Sequence, residues 1–273
     1  MVNSNVNARY YGAKPYQAIV VHGGPGALGT VAAIARELSK DYGVIEPLQR
    51  KSSVAGLLQE LDEVISANCE GPVSLIGHSW GAWLGFIYAA EYPMKLKKLI
   101  LVGSGPFEGQ YVAEIDKNRM AHFNRSETAR YHALLGAVSA PETVNKDQLM
   151  QQLGELVEKA DNYCAVEIKT DRDDCLPVCG DMYSAIWAEA SGLRESGKLL
   201  ELSGKITCPV TMIHGEYDPH PLDGVKLPLE KRIKNLRIHI LEKCGHNPWK
   251  ERYAKDLFYE ILREEMRRRI GEE

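Results

Sequence analysis

The sequence is short of the features that define several whole classes of protein. Its six cysteines, Cys69, Cys164, Cys175, Cys179, Cys208 and Cys244, are scattered over 273 residues without dense spacing. That suits reduced thiols rather than a disulfide framework. Only Cys175 and Cys179, in DRDDCLPVCGD, lie close together; with no second ligand pair at suitable spacing they do not make a metal site, and no metal is expected. The formal net charge is −4, so no positive field draws in nucleic acid or an anionic membrane, and neither is expected as a partner. No window approaches the ~20 apolar residues of a membrane span. The opening MVNSNVNARYYG lacks a basic segment followed by an apolar run, so a soluble, cytoplasmic protein is expected. No internal repeat, low-complexity tract or signal for oligomeric state is present. The arginines near the end (Arg263, Arg267, Arg268, Arg269) are interleaved with glutamates, the pattern of an exposed, salt-bridged helix face.

What the chain does have is 44% hydrophobic residues, enough to bury a substantial core. They are arranged as alternating strands and helices. QAIVVHGG (17–24) is a short β-branched run ending in glycines, the signature of a buried strand. A helix follows in GTVAAIARELSK, then a strand in YGVIEP and a helix opened by a serine cap in SVAGLLQELDEVISAN. GPVSLIG, WGAWLGFIYAAEYP and LKKLILVGSG continue as strand, helix, strand; CPVTMIHG, GVKLPLEKRIKN, LRIHILEKCG and a final helix complete the series. Such alternation predicts an α/β fold, a mostly parallel sheet of about six to seven strands flanked by helices.

The stretch from 106 to 203 differs in texture, with helical periodicity and no convincing strand. The expected organisation is a core formed by 1–105 and 204–273, with 106–203 inserted as a helical cap. An insertion at the carboxyl ends of the strands covers the crevice where open α/β sheets bind ligands.

The chemistry is concentrated at strand ends. VSLIGHSWGAWLGF (73–86) sets Ser79 between a strand and a helix, with Gly77 and Gly81 on either side. A serine hydroxyl is a weak nucleophile until a base takes its proton, and a tight strand-to-helix turn pushes it outward at the positive end of a helix. The acid and base are expected later, in the order Ser, Asp, His. VTMIHGEYDPHP supplies Asp218 and IHILEKCGHNPW supplies His246, each just past a strand; Asp223 and His220 are the fallback acid and base. A tetrahedral oxyanion needs two fixed donors. The N–H of Trp80 is one, and HGGPG (His22 to Gly26) offers the other at Gly24, with Gly23 beside it. His22, before the glycines, reads as a structural hydrogen-bonding residue.

HGGPG, GHSWGAW, HGEYDP and CGHNPW together resemble the α/β-hydrolase superfamily over essentially the whole core, leaving the cap unmatched. HGGPG and the Trp after the serine resemble the proline-iminopeptidase-type serine peptidases, which release N-terminal residues from short peptides. Where those peptidases carry a glycine-containing loop after the second early strand, this chain has EPLQRKSS (46–53). They use acids to bind the substrate's amino group; GDMYSAIWAEASGL offers Asp181 and Glu189 beside Tyr183 and Trp187 on one helical face, a pattern that equally describes an amphipathic helix packing its aromatics. The expectation is a serine hydrolase, an esterase or aminopeptidase, that cleaves a small-molecule ester or the N-terminal bond of a short peptide through an acyl-enzyme, without a cofactor. A cofactor-free lyase on the same triad and a non-catalytic ligand-binding homologue are the alternatives.

Overall fold

The computed structural model describes residues 8–140, 142–166 and 174–268; the first seven residues and Arg269, read above from sequence, lie outside these. Seven strands form one sheet: β1 (Ala8–Tyr11), β2 (Tyr16–Val21), β3 (Gly43–Pro47), β4 (Val73–His78), β5 (Leu96–Val102), β6 (Val210–Gly215) and β7 (Leu236–Leu241). Their order is β1-β3-β2-β4-β5-β6-β7. Only β1 runs antiparallel, against β3; the remaining pairs are parallel, as the alternation predicts.

Alternation of side chains along each central strand divides the core into two layers. Ile19, Val21, Leu75, Leu99, Leu101 and Met212 face one layer, with α2 (Val54–Asn68) and α3 (Trp80–Glu91). Ala18, Val20, Ile76, Ile100, Val102 and Ile213 face the other, with α1 (Ala32–Leu38) and α10 (Lys255–Arg267). Both faces are therefore covered, which is why these strands read as unbroken apolar runs. Ser53 opens α2 as expected, its Oγ accepting the Gly56 N–H at 3.1 Å.

Between β5 and β6 the described chain is helical: α4 (Val112–Met120), α5 (Arg125–Ser139), α6 (Lys146–Asp161), α7 (Gly180–Glu195) and α8 (Lys198–Glu201). They carry a small apolar cluster of their own around Tyr131, Leu134, Leu153 and Leu156. The last β–α unit contains α9 (Leu222–Glu230). No helix among the described residues is long and apolar enough to cross a membrane.

Candidate active site

Ser79 stands between β4 and α3 with φ +54° and ψ −114°. This is left-handed backbone that a residue with a side chain adopts only where its surroundings enforce it. The enforcement is visible at the neighbouring glycines. A Cβ on Gly81 would lie 2.4 Å from the Val21 carbonyl oxygen, and one on Gly77 would lie 2.1 Å from that of Gly81. Strand and helix thus close to backbone contact on either side of the serine, and Ser79 N–H donates to Val102 O at 2.9 Å. The Trp80 N–H follows as the first of α3, where no earlier turn supplies an intrahelical acceptor.

The HGGPG loop lies against this turn. A Cβ on Gly23 would fall 2.6 Å from His78 Nδ1 and 3.1 Å from Ser79 Cβ, so only glycine brings the loop this near the serine. Gly24 has φ +52° and its carbonyl accepts the Ala27 N–H at 2.9 Å. His22 is buried, with Nδ1 3.0 Å from Gly23 O; the bond ties the ring to its own loop.

Asp218 and His246 meet. Beyond β6 and β7 respectively, His246 Nδ1 is 2.8 Å from Asp218 Oδ2, and both side chains are almost wholly buried. A carboxylate only accepts, so the ring proton sits on Nδ1 and Nε2 is left as the basic nitrogen. Burial opposes charge on His246, but the carboxylate beside it outweighs this and raises its pKa. Burial likewise opposes charge on Asp218, yet His246, His220 and His214 together hold its carboxyl well below the usual range. Gly103, at the end of β5 with φ +53°, lies directly against the pair: a Cβ there would come within 2.8 Å of His246 O and 3.3 Å of Asp218 Oδ2.

Several residues of this neighbourhood escaped the sequence reading. His78 points its Nε2 at His246 O, 3.0 Å away, and packs its ring 4.7 Å from that of His246 and 4.6 Å from Trp249. His78 sits inside the GHSWG motif, so its place was visible though its partner was not. His220, named from sequence as the fallback base, joins the same aspartate, with Nδ1 2.8 Å from Oδ1, a contact the sequence did not show. Asp161, at the end of α6, accepts the His246 N–H at 2.6 Å and forms a two-point ion pair with Arg119, 2.7 Å at each contact. Glu251, fully buried, accepts the N–H groups of Tyr163, Cys164 and Gly245 at 2.7 to 2.8 Å.

The residues considered for an amino-group anchor fare differently. Glu189 accepts the Val54 N–H at 2.9 Å and so caps α2. Asp181 is 86% exposed and pairs with Lys146 at 3.3 Å. Trp187 stacks on Trp83 (5.7 Å, 7°) and Tyr183 (6.1 Å, 10°), packing α7 against α3. Asp223, the fallback acid, lies in the first turn of α9. Asp218, His220 and His246 offer ligand atoms within 4.8 Å of one another, but both contacts to the aspartate are made by ring Nδ1 atoms, which a metal would have to displace.

Comparison with known proteins bears on the family and the fold. A model of the alpha/beta hydrolase fold family matches residues 53–253. A 2-hydroxy-6-oxononadienedioate/2-hydroxy-6-oxononatrienedioate hydrolase of Cupriavidus pinatubonensis is 24% identical over 257 residues, covering 86% of this chain and 82% of its own. Among solved structures, an esterase of Exiguobacterium antarcticum superposes with a TM-score of 0.70 at 17% identity over 96% of both chains. The 2-hydroxy-6-oxo-6-phenylhexa-2,4-dienoate hydrolase of Rhodococcus sp. RHA1 does so with a TM-score of 0.63 at 20% identity, over 96% of this chain and 95% of that one. These relatives are an esterase and two hydrolases of 2-hydroxy-6-oxo acids; they do not show the likeness to iminopeptidases that the motifs suggest. The chain belongs to the alpha/beta hydrolase family.

Proposed function

We propose that the protein is a serine hydrolase of small carboxylic esters. The observation that carries this reading is the buried Asp218–His246 pair, 2.8 Å apart, at the ends of two strands of the sheet whose β4 ends at the strained Ser79. His246 Nε2 takes the proton of Ser79 as the hydroxyl attacks the ester carbonyl, and Asp218 stabilises the imidazolium. The N–H groups of Trp80 and Gly24 hold the oxyanion. His246 then gives its proton to the departing alkoxide, and water, activated by the same histidine, releases the acid from the serine. No step calls for a metal or cofactor.

Two features favour an ester over an N-terminal peptide bond. Glu189, the acid best placed in sequence to bind an amino group, has an oxygen committed to Val54, and esterases stand among the structural relatives. Room for an apolar chain exists beside the oxyanion loop, in a cavity of about 340 Å³ walled by Gly26, Leu28, Leu176, Pro177 and Met182. That volume lies at the small end of the range for small-molecule sites. A helical cap formed by 106–203 would roof this space. A second reading, hydrolysis of a 2-hydroxy-6-oxo acid, is favoured by the relative that covers 86% of the chain.

The test is labelling by a fluorophosphonate. Native protein is expected to form an adduct that Ser79→Ala abolishes and His246→Ala reduces by at least about a hundredfold in rate. A native protein that stays unlabelled, beside a serine hydrolase that labels, rules the nucleophile out and leaves the lyase and the ligand-binding homologue. Turnover of p-nitrophenyl acyl esters, prolyl arylamides and a 2-hydroxy-6-oxo dienoate then separates the substrate classes.

A further inference from the structure

The carboxylate of Asp218 serves two histidines. Its Oδ2 receives His246 Nδ1–H at 2.8 Å; its Oδ1 receives both the backbone N–H of His220, at 2.9 Å, and His220 Nδ1–H, at 2.8 Å. The two rings lie against each other, 4.4 Å between centroids and tilted by 30°. His220 is itself held at its other end, its carbonyl 2.9 Å from His214 Nε2, and its side chain is 12% exposed. The backbone bond alone would be an ordinary aspartate turn. The second, side-chain bond to the same oxygen is what a turn does not require.

We propose that His220 is a positioning residue of the active site, holding Asp218 by its second oxygen and thereby setting both the aim and the basicity of His246. The inference rests on the role proposed above for His246. An aspartate gripped at Oδ1 cannot swing about its side-chain bond, so Oδ2 stays on the line of His246 Nδ1. A donor on Oδ1 also draws charge away from Oδ2, which weakens the pull of the carboxylate on the His246 proton. The His220 ring, lying tilted against that of His246, adds to the burial that disfavours the imidazolium. Both effects act in one direction, against a proton on His246. His220 stays neutral in this role, since burial lowers its own pKa in spite of Asp218.

The other charged or titratable groups around His246 come from four further elements: His78 at the end of β4, His214 in β6, Arg119 in α4 and Asp161 at the end of α6. Asp161 favours the imidazolium and Arg119 disfavours it. Their mutual ion pair, 2.7 Å at each contact, leaves their sum small, and neither touches Asp218 Oδ1. His220 is therefore the group whose removal changes the carboxylate directly.

The experiment is a titration of the His246 imidazole by NMR in the native protein, His220→Ala and His220→Asn, with the resonance assigned by its loss in His246→Ala. Asparagine keeps an N–H donor at nearly the place of Nδ1 but does not titrate. The expected midpoint in the native protein lies above the ordinary value of about 6.5. In His220→Ala it climbs further, by at least about half a pH unit, and in His220→Asn it returns most of the way. In parallel kcat on p-nitrophenyl acetate falls about tenfold in His220→Ala, with KM little changed, and recovers in His220→Asn. A midpoint unmoved in His220→Ala overturns the proposal, as does an asparagine variant displaced as far as the alanine. Should the native protein turn over no ester, the serine hydrolase reading fails on that result, while the titration still decides the part played by His220.

Discussion

Gly103 occupies a point where the site leaves no room for a side chain. Its φ of +53° is one that only glycine adopts without strain, and an added methyl would press on His246 O, His246 Nδ1 and Asp218 Oδ2 at 2.8 to 3.3 Å. Gly103→Ala is therefore expected to part Asp218 from His246 and lower kcat by at least about tenfold, read by steady-state turnover, while thermal unfolding moves by the smaller amount set by strain of about 1–3 kcal/mol. Ser79, Asp218 and His246 were readable because each sits where a strand pattern stops and a turn begins. Gly103 carried no such mark: it ends the run LILVGSG like any strand-terminal glycine, and its neighbours come from residues more than a hundred positions away. His220 was visible as a histidine but its bond to Asp218 was not, because sequence does not show that one aspartate has two oxygens in use.

Among the elements, the final helix shows what amphipathic patterning reveals and what it conceals. Phe258, Ile261 and Leu262 bury against the sheet, as their spacing implies. Glu265 falls on the same buried face, 1% exposed, where patterning expects an apolar residue. It is received by Arg237 at 2.8 and 2.6 Å and by Thr211 at 2.9 Å, with Lys98 at 3.5 Å. Burial opposes its ionisation, but His239, Arg237 and Thr211 outweigh that and lower its pKa far below the carboxylate range. The depressed pKa means a contribution to stability that is complete above about pH 4.3, the unfolded value, and that disappears as pH falls toward the folded one. Glu265→Ala strands Lys98 in the core and is expected to cost about 3–5 kcal/mol in chemical denaturation at neutral pH. Much of that difference from native protein should vanish in acid. The strands β2, β4, β5 and β6 were legible because burial on both faces writes itself as apolar runs; this polar junction between β5, β6, β7 and α10 was not, because its members are single polar or charged residues in four separate segments.

At the scale of the molecule, the helices inserted between β5 and β6 are joined to the rest at the place where the site is built. Asp161 O receives the His246 N–H, a Cβ on Gly245 would stand 2.2 Å from that same oxygen, and Glu251 gathers the N–H groups of Tyr163, Cys164 and Gly245. Glu251→Ala leaves three donors without their acceptor, one buried at Gly245 and two part-buried at Tyr163 and Cys164, with a cost of about 1–3 kcal/mol for the buried one and less for each of the others. Its expected result is a loss of several kcal/mol in stability together with a loss of turnover that persists at temperatures where the variant is still folded, since the segment that carries His246 is released along with the end of α6. Circular dichroism and ester turnover followed over the same temperature range measure both. The helices described between β5 and β6 were legible in the periodicity of the sequence. Their attachment was not, because nothing in the sequence marks Glu251 as reaching across to Tyr163 and Cys164, nearly ninety positions earlier.

That attachment bears on how this chain could be recombined with its relatives. A chimera that exchanges the segment between β5 and β6 cuts through open backbone at the Gly103 end only at the expense of the site, and at the far end it separates Asp161, Tyr163 and Cys164 from the Gly245–Glu251 loop they were built against. A transplanted set of helices will therefore work only when the receiving loop travels with it. Two stretches distant in sequence thus form one structural unit, and an exchange that moves one of them without the other is expected to fail.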